Sequence, residues 1–427
     1  MDKELSAFLN FMNASPSGYH AIANLVAMLE EAGYTHLPEY AAWTVVPGGK
    51  YYLTRGGTTL LAFRIPEEVT GGFRMSASHS DRPTFKVKEN AELVGTYTRL
   101  AVERYGGMLI APWLDRPLSV AGRVMVETED GVRPKLVNLD RDLLMIPNVA
   151  IHMNRQANEG YKWNPAVDTL PLVGGKDAKG KLDALLEREA GGRILGHDLF
   201  LYNRDKAKVW GMEEEYVSAQ ALDDLACAWA CAQGFLNSED CGDIPVLCVF
   251  DSEEVGSSSV QGAASMILAD TLSRICEERN LDLRRMLAKS LMVSADNGHA
   301  VHPNHPELAD PTNAPVLGGG VVLKFNANQR YCTDGFTAAL WRSICKKADV
   351  KVQTYCNRAD IAGGSTLGNI SLGHVSVPTM DIGLPQLAMH SCYETAAVAD
   401  LDALAKAMTV FYGSALEMLG DGGYRMA

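Results

Sequence analysis

The chain has 427 residues, 47% of them apolar, with a formal net charge of −13. That length exceeds one ordinary core, so two domains are expected, and the apolar content excludes a disordered polymer. The acidity argues against nucleic acid or an anionic membrane surface as the main partner.

The chain opens MDKELSAFLNFMNASPSGYH, with acids early and no basic start leading into an apolar run. That argues against a secretory signal, and a cytoplasmic location is the default expectation. No stretch approaches the ~20 apolar residues of a membrane helix. The first ~35 residues read as two helices broken at Asn13–Pro16, the second carrying Ile22, Leu25, Val26 and Leu29 at helical spacing. YYLTRGGTTLLAFRI reads as a hairpin around Arg55-Gly56-Gly57, and GGFRMSASHSD as a strand ending at His79. From about Lys88 to Val217 the texture turns to short β-prone runs, such as VAGRVMVET, EDG, VRPKLVNL, with little helix before KLDALLEREA. The reading is a catalytic domain of residues 1–88 and 218–427 interrupted by a β-rich insertion, 89–217.

After Ser218, helices and apolar strands alternate. ALDDLACAWACAQGFL is helical, IPVLCVF a strand, SVQGAASMILADTLSRICEE helical, KSLMVSAD and VVLKFNAN strands, and GFTAALWRSICKKA helical. KVQTYC and VPTMDIGL are strands, and TAAVADLDALAKAMTVFYGSALEML is one long helix. This predicts an α/β sandwich around a mostly parallel or mixed sheet. The nine cysteines, an odd number lying mostly in apolar runs, suit reduced buried thiols. Cys227 and Cys231 stand one helical turn apart and read as packing residues rather than metal ligands.

Acids and histidines gather at the ends of these elements: His79 and Asp81 in SASHSD, Asp223 and Asp224 in ALDDL, Glu253 and Glu254 in DSEEVGSSS, Asp296 in SADNGH, His390 and Glu394 in MHSCYE. In open α/β sheets, ligands bind beyond the carboxyl ends of strands. Crowded carboxylates are tolerated only with cations to neutralise them or protons to share. Two imidazoles and three carboxylates match a pair of zinc ions, one carboxylate being shared because the ions stand about 3.5–4 Å apart. A glutamate is then left over as general base. Each residue has a plainer use. Asp223 and Asp224 could cap a helix, Glu253 and Glu254 could cap one beginning near Ser259, and Asp81 or Asp296-Asn297-Gly298 could form turns. His390 could be a satisfied buried histidine. His299, His302 and His305 are kept from one helical face by Pro303 and Pro306, and read as loop residues near the site. The glycine runs 318–320 and 363–365 lack a phosphate-loop Lys-Ser/Thr and read as tight turns.

Taken in order, SPSGYHA, SHSDRPTFKVK, WLDRPLSVAGRV, IPNVAIHMNR, ALDDLACAW, DSEEVGSSSVQGA, SADNGHAVHPN, LKFNANQRYCTDG, GGSTLGNI and MHSCYE resemble the aspartyl aminopeptidase family of dinuclear zinc aminopeptidases, over nearly the whole chain. The resemblance implies a zinc-peptidase-like α/β sandwich in which the insertion is a dimerisation domain. It implies that His79 and Asp296 hold one zinc, Glu254 and His390 the other, and that Asp223 bridges them. Glu253 is then the general base, and Asp81 orients His79. His152, in the insertion, resembles a histidine that reaches a neighbouring subunit's site. Relatives assemble as tetrahedral dodecamers with sites facing an inner chamber.

Departures from the family pattern include Asp224 where Asn is common, Asn148 where His is common, and WLDR in place of WFDR. None falls on an implied ligand. The implied reaction is removal of the N-terminal residue of a peptide by a metal-bridging hydroxide. Cobalt or manganese could substitute for zinc. The preferred residue is acidic or neutral. An acidic one needs a cation, for which Lys324 and Arg330 are the candidates, against the plainer reading of an edge-strand lysine and a structural ion pair. A related dinuclear carboxypeptidase or deacylase, or a non-enzymatic shell protein, is the competing expectation.

Overall fold

The computed structural model describes residues 3–420 and 422–426. Helices α1 (Lys3–Ala14) and α2 (Gly18–Glu31) open the chain, followed by the hairpin β1 (Lys50–Arg55) and β2 (Thr59–Arg64), and by β3 (Phe73–His79). Next come β4 (Thr84–Val94), β5 (Tyr97–Tyr105), β6 (Leu118–Thr128), β7 (Gly131–Asn138), α3 (Lys181–Ala190) and β8 (Ile194–Asn203). The remaining major elements are α4 (Leu222–Asn237), β9 (Ile244–Phe250), α5 (Ile267–Arg279), β10 (Leu291–Ala295), β11 (Val321–Phe325), α6 (Gly335–Lys347), β12 (Val352–Cys356), β13 (Thr379–Gly383) and α7 (Val398–Gly413).

The main sheet has nine strands, in the order Thr35–His36, β1, β2, β9, β3, β10, β13, β11, β12. Its middle is parallel, with β9, β3, β10 and β13 running the same way. β2 joins antiparallel, as does the β11–β13 pair, so the sheet is mixed. Alternation along the strands sorts side chains onto two faces. Leu247, Val249, Leu291, Val293, Leu323 and Ile382 face α1, α2, α4, α6 and α7. Phe73, Met75, Ala77, Val246, Cys248 and Phe250 face α5. Fully burying each such aliphatic or aromatic side chain contributes roughly 1.5–3 kcal/mol, so both faces are needed to hold the central strands in register. Gly234 lets α4 lie against α7, since a Cβ there would fall 2.4 Å from that of Met408.

A second, antiparallel sheet of six strands runs β7, β6, β8, β4, β5 and Leu172–Gly175, with Phe85, Leu100, Val120, Leu199 and Leu201 packed with Leu185 and Leu186 of α3. No helix among the described residues is long and apolar enough to cross a membrane.

Two expectations fail locally. The helix read from near Ser259 begins only at Ile267. Left-handed Ser257 (φ 58°) precedes a turn at Gly262, and a Cβ on Gly262 would fall 2.1 Å from the Ser257 carbonyl oxygen. The last helix ends at Gly413, and Leu416–Met418 instead pairs with Tyr424–Met426.

Candidate metal centre

Three adjacent parallel strands deliver the first side chains. His79 is the last residue of β3; Glu253 and Glu254 form a single 3-10 turn just after β9; Asp296 follows β10. They emerge together at the carboxyl edge of the sheet, where an α/β sheet opens to ligands. Glu253 and Glu254 therefore cap no α-helix. Nor do Asp223 and Asp224 act as N-caps. Asp224 Oδ2 accepts from the His79 backbone instead, Oδ1 of each aspartate has no hydrogen-bond partner, and both side chains are buried at the mouth of α4. His390 comes from the loop between two short strands, Pro385–Leu387 and Glu394–Ala397.

Asp223 lies at the centre. Its Oδ1 is 3.4 Å from His79 Nε2, and its Oδ2 is 3.6 Å from His390 Nε2. His390 Nε2 is also 3.5 Å from Glu254 Oε2. Ligand atoms of His79, Asp223 and Glu254 lie within 4.8 Å of one another, as do those of Asp223, Asp224 and Asp296, so Asp223 belongs to both groups. Asp223, Glu254, Asp296 and His390 line one cleft of about 340 Å³, together with Glu253 and Lys324.

Both imidazoles are oriented from behind. His79 Nδ1 faces the Asp81 carbonyl oxygen at 3.2 Å and Asp81 Oδ1 at 3.3 Å. His390 Nδ1 donates to the Gly107 carbonyl oxygen in a very short contact. A carbonyl only accepts, so each Nδ1 carries a hydrogen, which leaves Nε2 as the nitrogen each ring would offer to a cation. Asp81 does more than orient His79. Its two oxygens accept the backbone N–H groups of Glu253 and Glu254, each at 3.1 Å. Glu394 was a sequence candidate without a role. Its carboxylate accepts the backbone N–H of Asp223 at 3.0 Å and that of His390 at 2.7 Å, pinning both residues. Asp224 Oδ2 accepts the His79 backbone N–H at 3.1 Å.

Lys324 is not an edge-strand lysine. β11 lies between β13 and β12, and Lys324 is buried with its Nζ 2.7 Å from the Asn297 carbonyl oxygen and 3.6 Å from Asp296 Oδ1. Arg330 is exposed and does not line the cleft. His152 is exposed in a turn of the second-sheet region, away from this chain's own cleft. His299 lines the cleft beside Tyr355, while His302 and His305 border the adjoining hollow. Cys227 donates its thiol to Asn297 Oδ1, and all nine cysteines are free.

The electrostatics favour cations. Burial pushes the Glu253 carboxyl up to about 8, with Asp296, Asp81 and Asp223 adding to the effect and His79 opposing it. Burial, together with Asp223, raises Glu254 well above the carboxylate range, and burial with Asp296 and Asp223 does the same for Asp224. Burial opposes ionisation of Asp223 too, but the His79 ring beside it, together with His390 and Lys324, outweighs this and holds it low. Asp223 Oδ1, Asp224 Oδ1 and Glu254 Oε1 are buried without a hydrogen-bond partner. Nitrogen and oxygen donors with orphaned carboxylate oxygens and pre-set imidazoles fit zinc.

The model of the aminopeptidase I zinc metalloproteases (M18) matches residues 11–412. The chain is 41% identical over 414 residues to a probable M18 family aminopeptidase 2 of Clostridium novyi, covering 93% of this chain and 96% of that one. Its fold is similar to Ape4 in the cryo-EM structure of the Ape4 and Nbr1 complex, with TM-score 0.92 and 35% identity over 96% of this chain and 85% of that one. It is also similar to the S. cerevisiae mApe1 dodecamer, with TM-score 0.85 and 25% identity over 96% of each chain.

Raised carboxyl pKa values have a direct consequence. At neutral pH these groups carry protons that a divalent cation must displace, so zinc uptake by the metal-stripped chain is expected to release protons and to weaken as pH falls. Calorimetry of zinc binding in buffers of different ionisation enthalpy measures the release; uptake with no proton exchange would contradict this account.

Proposed function

Because this chain belongs to the M18 family of aminopeptidase I zinc metalloproteases, we propose that its cleft holds two zinc ions and that Glu253 is the base of its peptide hydrolysis. The chain is a metallo-aminopeptidase, not a carboxypeptidase or deacylase. The observation that carries the two-ion reading is the placement of Asp223, whose oxygens face two different imidazoles. His79 and Asp296 would hold one ion, Glu254 and His390 the other, with Asp223 shared. Cobalt or manganese suits the same donors.

When bound, zinc supplies Lewis acidity for the scissile carbonyl and lowers the pKa of a water towards neutrality. The protein's own groups handle the proton. Glu253 takes it from the attacking water as the new C–O bond forms, then passes it to the amine nitrogen as the C–N bond breaks. Asp81 holds the backbone of Glu253 and Glu254, so base and ligand keep a fixed separation. Of the two cations marked out in the sequence, only Lys324 reaches the cleft, and we assign it to reading an acidic N-terminal side chain.

We further infer that residues 89–217 form a dimerisation module. The exposed apolar residues Val149, Ile151, Met153 and Val167 support this, as does the dodecameric state of the S. cerevisiae relative. His152, exposed in the same region, would then reach a neighbouring subunit's cleft, and the whole would be a homododecamer. Nine free thiols suit a reducing compartment, so we place the protein in the cytoplasm.

Glu253→Gln is expected to keep both ions and lose ~10²–10⁴ in turnover, checked by zinc content alongside peptide cleavage; cleavage at the parent rate removes Glu253 from the role. Among amino-acyl naphthylamides, Asp and Glu should be released fastest, and fast Leu release with negligible Asp or Glu release would exclude Lys324 as the selector. Light scattering should give the mass of a dodecamer, and a monomer would defeat the assembly.

A further inference from the structure

One short stretch of chain leaves the second sheet and touches the supports of both imidazoles. Tyr105, the last residue of β5, donates its hydroxyl to Asp81 Oδ2 at 2.8 Å. That same oxygen accepts the Glu254 N–H, while the other accepts the Glu253 N–H and faces His79 Nδ1. Gly106 follows, at φ 74°, and a Cβ there would fall 3.0 Å from that of Glu254. Only glycine lets the chain lie so close against this side chain. The Gly107 carbonyl then receives His390 Nδ1–H, and the Leu109 N–H returns a bond of 3.0 Å to the His390 carbonyl oxygen. Residues 105–109 thus form a strap from the second sheet across both halves of the site.

We propose that Tyr105 is a positioning residue for the metal centre: through Asp81 its hydroxyl fixes the His79 ring and the Glu253–Glu254 backbone, tying the second sheet to the site. Asp81 has more duties than two carboxylate oxygens discharge unaided. It must accept two backbone N–H groups in fixed directions while facing an imidazole. The phenol adds a neutral donor on the side away from His79, so the carboxylate cannot swing. It also brings no charge to compete with a cation. The alternative use of Tyr105 is packing, since its ring meets Phe200 edge-on with centroids 5.7 Å apart. Phenylalanine would keep that contact and lose only the hydroxyl, so the two uses separate cleanly.

The proposal rests on the two-zinc reading, and its test keeps the two apart. Parent, Tyr105→Phe and a control, Tyr202→Phe, are each loaded with zinc and titrated with chelators of graded strength. Tyr202 belongs to the same sheet and donates to Asn138 Oδ1 at 2.7 Å. Tyr105→Phe should hold zinc about tenfold more weakly, the low end of what such outer partners contribute. Its kcat should fall with KM unchanged, while its metal-free melting temperature and solution mass match the parent's. Tyr202→Phe should keep the parent's zinc affinity. Parent-like zinc retention in Tyr105→Phe overturns the proposal. So does a zinc loss that Tyr202→Phe matches, which would assign the effect to the second sheet at large rather than to the Asp81 contact. A parent that binds fewer than two zinc ions refutes the two-ion reading itself, a result visible before any variant is compared.

Discussion

Mutual repulsion among buried carboxylates sets the terms for this molecule. Two unit charges 4 Å apart repel by about 4 kcal/mol at an effective dielectric of 20, and Asp223 has Asp224 and Asp296 within 4.8 Å on one side and Glu254 on the other. A fold that only needed stability would replace them with apolar groups. Keeping them requires a counter-charge, and the arrangement is asymmetric in a useful way. Asp223 is held ionised between the imidazoles, while its neighbours are pushed towards protonation. The central carboxylate thus favours its charged form while its neighbours favour a proton until a cation arrives.

Holding such groups in place takes backbone hydrogen bonds rather than salt bridges. Asp81, Asp224 and Glu394 each accept main-chain N–H groups of residues at the site. These acids order the site without facing the substrate, and they are what keeps the repelling side chains from drifting apart. The parallel strands supply the rest. Phe250 stands opposite His79 in register, so the turn carrying Glu253 and Glu254 starts beside the imidazole.

The strands and most helices were legible because each carries a simple pattern: alternation in FRMSASH, a short unbroken apolar run in IPVLCVF, three-to-four spacing in α2 and α6. The placement of His79, Glu253, Glu254 and Asp296 beyond strands followed from that pattern, and their particular roles came from the family resemblance. What the sequence hid was local backbone geometry. SVQGAASMILAD has helical composition throughout, yet left-handed residues before it and the close approach at Gly262 delay the helix to Ile267. ALDD could be a helix cap by its composition, but Asp224 instead accepts from the His79 backbone, far away in sequence. Lys324 reads as an edge residue because strand order is invisible to one strand's composition. Glu394 and Tyr105 work through single hydrogen bonds to groups distant in sequence, and no spacing or residue type announces such a contact.

The order of strands in the main sheet bears on how the chain matures. His79, Asp223, Glu254, Asp296 and His390 are scattered across most of the polypeptide, and β3, made long before β9 and β10, lies between them in the sheet. An unfolded or half-made chain therefore offers no preformed chelate, so a cation gains nearly its whole affinity from the native state and stabilises that state in proportion. Until His390 has left the ribosome and its loop has docked, the pocket lacks one of its imidazoles, which makes metal loading a late checkpoint on finished molecules rather than a guide to their folding.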